Sequence, residues 1–547
     1  MTGQPDVVIV GAGAAGLMLA ARLAEGGQSV TVLEAGPERH LGDLISSQIW
    51  ARKLKWSEPA VSESGDHKIG HAFNAGSGTG GSAIHHYGVW LRMHEGDFSV
   101  NSAHGKGLDW PFAYSDLASH YDRVQAEVGL SGDSGLERWR PEGAPYPMPP
   151  LPLFAQARVL AKGFEKTGRH TAPLPLAINS EPYRGRASCQ YDGWCDAGCP
   201  IGALGNPLVT WLPRALAAGV RLEHNARATR VLRHADNSSR IESVEYLQDG
   251  QLKTIRGDRI IIAAFAVQSV RILLSSATEG HLAPGNHSDQ LGRYLMTHPA
   301  ATVFGLFEEE THPHQGVSAG QLLCHDEYDN KNAPGGFGSS QWMIGHAIKP
   351  HDLLGYGTSR PDITGAELEP WLKRAARHLG NMTLVCEDIA LPDNRITLSE
   401  RVDADGIPCA HTHHDLDPGA AARWSQRMAE GQEILRAAGA TAVWQGPRIG
   451  MHIMGGAVMG NDPAQSVTDA FGRVHDTDNL YIAGPALFPS SGAVNPTFTL
   501  TAMASRQADY LLGKSCPPTP LDPTPSALNP SHFKRGTHDS IGELFHY

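Results

Sequence analysis

Three cysteines in one short loop carry the most explicit chemistry in the chain. The segment Cys189-Gln190-Tyr191-Asp192-Gly193-Trp194-Cys195-Asp196-Ala197-Gly198-Cys199-Pro200 spaces them C-x5-C-x3-C-P. Thiolates are the usual protein ligands of iron–sulfur clusters, and a Cys-Pro ending recurs in cluster loops. Gly193 and Gly198 suit a chain wrapped around an inorganic cluster. Zinc, bound by these thiolates and a fourth ligand from elsewhere, is the competing chemistry. A set of reduced, unligated thiols is the third reading. Cys324, Cys386, Cys409 and Cys516 are scattered and read as buried or idle thiols. An odd total of seven with one tight cluster points away from a disulfide framework.

A second constellation lies near the N-terminus. Asp6-Val7-Val8-Ile9-Val10 reads as a buried parallel strand, and Gly11-Ala12-Gly13-Ala14-Ala15-Gly16 follows at once. A helix over Leu17–Glu25 and a strand over 29–33 complete a βαβ start. Gly11 permits the tight turn, Gly13 lets the backbone approach a pyrophosphate, and Gly16 lets helix and strand pack closely. The helix start, with Ala14 and Ala15, offers unpaired N–H groups and a positive dipole end to phosphates. Glu34 closes the second strand, with Ala35 beside it, and can accept from ribose hydroxyls. The pattern announces a dinucleotide without separating FAD from NAD.

These motifs sit in a chain of 547 residues with 41% hydrophobic and 19% charged residues, the balance of an ordinary globular protein. Its net charge of −12 argues against nucleic acid or an anionic membrane as the main partner. No apolar run approaches the roughly 20 residues of a membrane helix. The segment Met1–Asp6 lacks a basic start, so no signal peptide is expected. Taken alone that implies a cytoplasmic protein, with a periplasmic one if a signal-bearing partner carries it.

Three further segments resemble the glucose–methanol–choline (GMC) oxidoreductase family, over residues 6 to about 513. Gly76-Ser77-Gly78-Thr79-Gly80-Gly81-Ser82 is similar to the family's glycine-rich stretch along flavin and pyrophosphate. Asp258–Ala266 resembles the later strand that ends beside the cofactor at Ala264, with Phe265 where a glycine is usual. The block from Met451 through Asn479–Gly484 to Gly492-Ala493-Val494-Asn495-Pro496-Thr497 leads into a helix from about Leu500 to Leu512. The resemblance implies FAD as cofactor and His452 with Asn495 as the catalytic pair. His452 would accept the hydroxyl proton, Asn495 would hold the oxygen, and the flavin would take the hydride. It also sets His85, Gly484, Asn495, Pro496 and Thr497 beside the flavin. In some relatives a histidine at the place of His85 is bonded to it.

The implied fold is α/β: a Rossmann-like FAD-binding domain interleaved with an α+β substrate-binding domain. The first would collect residues 1–100, 215–300 and 445–513, the second 101–214 and 301–444. A Pro-rich tail, 514–547, would follow. A Trp-Pro step at Trp110-Pro111 introduces a helix near 115–128, and Leu391–Arg395 reads as a turn into a strand. His411-Thr412-His413-His414 reads as alternating residues on a strand rather than a metal site.

The cysteine loop selects a branch. Its spacing is similar to that of bacterial FAD-dependent glucose and glycoside dehydrogenases, whose three cysteines hold a [3Fe–4S] cluster. That resemblance implies a sugar or glycoside substrate, a small subunit and a cytochrome c acceptor. An oxidase of the same fold that reduces O2 to H2O2, acting on a sugar, aromatic alcohol or other alcohol, is the alternative. A non-catalytic flavin subunit is the reading from a different class.

Overall fold

The computed structural model describes residues 3–56, 60–357 and 359–514. The Pro-rich tail and Cys516 lie outside them. The N-terminal strand, Val7–Val10, is fully apolar and fully buried. It sits at the centre of a five-stranded parallel sheet in the order 480–482, 259–262, 7–10, 30–33, 221–223. Continuous Val/Ile runs suit such strands because both faces are covered.

Helix Ala14–Glu25 crosses from the first strand to the second, starting three residues earlier than the sequence suggests. Helix Thr497–Leu511 packs along it, and Ser115–Val128 packs on that helix in turn. The Arg22–Glu127 ion pair, 2.8 Å and nearly inaccessible, ties the first and third of these.

A second, antiparallel sheet takes strands 442–445, 296–306, 379–386, 340–344, 322–324 and 172–173, in that order. Strand Ile449–Met454 pairs with the start of 296–306. Helices Pro418–Ala437 and Ala155–Lys166 pack against this sheet. A small sheet of 395–402, 408–413 and 62–64 carries the alternating histidines. There His411 meets the Ser62 and Ser64 hydroxyls, and His413 meets Ser64 and Asp415. Cys324, Cys386 and Cys409 are buried free thiols.

Candidate active site

A cleft partly open to solvent runs from the first parallel strand to the antiparallel sheet. Gly11, Gly13, Ala14, Ala15, Glu34 and Ala35 line one end. Gly76, Gly81, Ser82, His85 and Ala264 line the middle, and His452, Gly484, Asn495, Pro496 and Thr497 lie along the wall formed by the C-terminal block. Gly16, Gly78 and Gly80 do not line it; each stands behind the wall. A Cβ on Gly16 would fall 2.0 Å from the Gly11 carbonyl oxygen, so the helix crosses the strand in direct backbone contact. Gly80 N–H donates to the Ala12 carbonyl at 2.8 Å, fastening the second glycine stretch to the first.

Glu34 does more than face a ribose. Its buried carboxylate accepts from the backbone N–H groups of Ala12, Gly36 and Gly78, each at 2.8 Å. One acid thereby holds three loops in register at the nucleotide end. Each carboxylate oxygen has two lone pairs, so a ligand hydroxyl can still be received.

The cleft fits a dinucleotide flavin. Nothing stands within 4 Å of the place a Cβ would take on Gly13, where the helix N-terminus opens to the cleft. Nε2 of His85 and Nε2 of Gln268, both lining residues, are buried without a hydrogen-bond partner in the protein. Burial pushes His85 down to about 3, leaving its ring neutral. Phe265, in the glycine's usual place, has φ +62 and starts helix Phe265–Leu274 from the cleft wall. That left-handed backbone costs a side-chain-bearing residue roughly 1–2 kcal/mol, which explains a preference for glycine here.

A β-bulge sets the position of His452. In the pairing of 296–306 with 449–454, Met296 faces Met454 and His298 faces Met451, so one strand has an extra residue. His452 lies in this irregularity with φ +60. Bulges re-aim side chains and concentrate next to active sites. Here the bulge turns His452 toward both the cleft and His298, while Asn74 Oδ1 accepts from its backbone N–H at 3.1 Å.

Asn495 Nδ2 lies 3.1 Å from His452 Nε2. Its loop is braced from below. Ala493 N–H donates to the Tyr328 hydroxyl, which donates to Asp97. Asp97 and Glu387 both receive the buried Lys331 ammonium, at 2.8 and 2.6 Å. Burial, followed by the charge of His298, pushes His452 well below the usual histidine value, so its ring is neutral.

His298 was not singled out from sequence. Its Nδ1 lies 2.9 Å from His452 Nδ1, and its Nε2 lies 3.3 Å from the Ser491 carbonyl oxygen. Gln341, His325 and His94 were also missed; they extend the same chain behind Asn495. Single histidines and a glutamine on separate segments carry no spacing signal.

The cysteine loop abuts the cleft. Gly198 packs on Ile84, in the turn that follows Gly81, and Tyr87, three residues beyond Ile84, lines the cleft wall. Backbone N–H groups of Tyr191 and Leu204 point at the sulfurs of Cys189 and Cys199, at 3.3 and 3.4 Å. Burial raises all three thiols, Cys189 to about 11, and further negative charge among the three raises Cys189 and Cys195 again. Among the described residues, no three His, Cys, Asp or Glu side chains stand close enough to hold a single metal ion. Trp194 stacks on His351 with the Lys349 ammonium 5.1 Å from its ring.

Comparison with known proteins gives the family. The GMC oxidoreductase family models match residues 6–300 and 390–504. The fructose dehydrogenase large subunit of Gluconobacter japonicus is 28% identical, over 93% of this chain and 97% of its own. The 6'''-hydroxyparomomycin C oxidase of Streptomyces lividus is 30% identical, over 92% and 90%. Among solved structures, pyridoxine 4-oxidase from Mesorbium loti superposes with a TM-score of 0.65 at 17% identity, covering 93% of this chain and all of that one. The last shows the fold alone; with the family matches, the chain belongs to the GMC oxidoreductase family and is an FAD-dependent oxidoreductase acting on a CH–OH donor.

Proposed function

We propose that this protein is a dehydrogenase oxidising a hydroxyl of a sugar or glycoside, with His452 as proton acceptor and Asn495 as the group that holds the reacting oxygen. One observation carries the reading. The Ser491 carbonyl can only accept a hydrogen bond, so His298 presents Nε2–H to it and a lone pair on Nδ1. His452 must then donate through Nδ1, which leaves its Nε2 lone pair beside Asn495. FAD, when bound, supplies the acceptor for the hydride. The hydroxyl proton goes to His452 Nε2, the Asn495 amide N–H steadies the oxygen as charge develops there, and the carbon becomes a carbonyl. Positioned general bases contribute about 10²–10⁴-fold.

Cys189, Cys195 and Cys199 would hold a [3Fe–4S] cluster, whose chemistry is one-electron transfer to an outside acceptor. The backbone N–H groups aimed at two of the sulfurs and the contact with the cleft support this. A cytochrome c and a small subunit are the partners that fit, and the similarity to a fructose dehydrogenase large subunit points the same way.

The test combines anaerobic flavin bleaching by a panel of sugars and glycosides with EPR of the protein as isolated. Bleaching by a sugar, about 10²-fold slower in His452→Gln, together with a three-iron signal lost in Cys195→Ser, is the expected result. Turnover that survives His452→Gln would overturn the catalytic assignment. Absence of iron, with stoichiometric H2O2 made in air, would turn the reading to an oxidase.

A further inference from the structure

The hydrogen-bond chain that reaches His452 does not stop at Asn495. Gln341 Nε2 donates to Asn495 Oδ1 at 3.1 Å. Gln341 Oε1 meets His325 Nε2 at 3.0 Å, His325 Nδ1 meets His94 Nε2 at 3.3 Å, and His94 Nδ1 meets Asp329 Oδ1 at 2.8 Å. Gln341, His325 and His94 are buried, whereas the Asp329 side chain is 66% exposed. The chain therefore runs from the reacting centre to water through residues of four separate segments.

Its ends determine its direction. A carbonyl oxygen at Ser491 and a carboxylate at Asp329 both accept only. Burial pushes His298 to about 4 and His325 to about 3, and it pushes His452 well down as well, so each of these rings is neutral with one N–H and one lone pair. Gln341 Oε1, an amide oxygen, accepts from His325 Nε2–H, and the Asp329 carboxylate accepts from His94 Nδ1–H. The His94 bond and charge outweigh burial to hold the Asp329 carboxyl below its ordinary value. From His325 every bond then points the same way: to Gln341, to Asn495, to His452, to His298, to Ser491.

We infer that Gln341, His325, His94 and Asp329 are positioning residues for this reaction: they fix the Asn495 amide with its NH2 group toward His452 and keep His452 Nε2 free of hydrogen. The inference rests on His452 being the base. It goes further by assigning work to four residues outside the cleft, one of them at the surface. Without the far arm the Asn495 amide could turn over. Its oxygen would then face His452 Nε2 and require a hydrogen there, blocking the base.

Gln341→Glu is the discriminating change, because an ionised carboxylate of nearly the same shape can only accept. Asn495 must then donate to it and turn its oxygen to His452. In the flavin-loaded full-length enzyme labelled with [15N]histidine, two-bond 15N–1H correlation distinguishes the tautomers, with the His452→Gln variant identifying the resonances. Expected is a hydrogen on Nδ1 and a bare Nε2 in the wild-type protein, a hydrogen on Nε2 in Gln341→Glu, and flavin reduction by D-glucose or methyl glucoside slowed at least about 10²-fold. A bare Nε2 in Gln341→Glu, or a hydrogen on Nε2 in the wild type, overturns the inference. Failure of the base assignment itself reads differently, as reduction undiminished in His452→Gln. Should Gln341→Glu not fold, His325→Phe gives the second measurement, because it removes the partner of Gln341 Oε1. A hydrogen on His452 Nε2 and slowed flavin reduction are expected. A wild-type His452 tautomer and rate in His325→Phe overturn the inference.

Discussion

Nδ1 of His298 lies 2.9 Å from Nδ1 of His452, although the two are 154 positions apart in the chain. Two imidazoles joined through like nitrogens cannot both donate, so the tautomer of one dictates that of the other. The strand bulge makes the contact, and the Ser491 carbonyl decides which ring donates.

The pH dependence of kcat/KM should show this pairing. A base works when unprotonated, so activity is present above its pKa and lost as pH falls through it. Burial and the neighbouring imidazole hold His452 well below 6.5, which puts the acid limb well below pH 6.5. In His298→Leu the neighbouring imidazole and the acceptor for Nδ1–H are both gone. The limb should move toward pH 6.5, and kcat at pH 8 should fall by about tenfold, the scale of one hydrogen bond. A wild-type limb at or above pH 6.5 would contradict the geometry.

Gly16→Ala tests the close crossing at the nucleotide end. The new methyl would stand 2.0 Å from a carbonyl oxygen held in a turn, where no flexible side chain can give way. Overpacking of this kind costs about 1–3 kcal/mol. Unfolding of the purified protein should show that loss, and the bound flavin fraction should drop with it. Wild-type stability and full flavin content in the variant would mean the helix is free to move outward.

Glu137 provides a pH effect on stability rather than on rate. Burial raises this carboxyl from 4.5 to about 7, although the Tyr146 hydroxyl donates to it at 2.6 Å. The folded state therefore keeps a proton that the unfolded chain releases near pH 4.5. Stability from this group is complete below about pH 4.5 and declines as pH rises to about 7, by about 3 kcal/mol. Glu137→Gln should flatten that decline in denaturant midpoints measured from pH 4.5 to 8. An equal slope in variant and wild type would show that the carboxyl ionises in place.

The glycine motif, its flanking strands and the acid at Glu34 were legible because their spacing is local. A βαβ start needs its turn, its helix and its acid within about thirty residues, and each leaves a residue-type signature. His452 and Asn495 were legible by resemblance, as members of a motif-bearing block. Helix 115–128 and the strand from Arg395 were local too, and both form where expected.

What the tertiary structure alone decided is how distant, individually silent residues meet. Glu34 spends its carboxylate on three backbone amides that are adjacent only after folding. Phe265 takes a backbone conformation that its residue type gives no reason to expect. His298, Gln341, His325 and His94 sit on separate segments with no common period, and become one chain because the antiparallel sheet and its neighbouring loops bring them together. Sequence specifies the residue that can donate or accept; only convergence in space specifies to which partner, and hence which nitrogen of His452 carries the hydrogen.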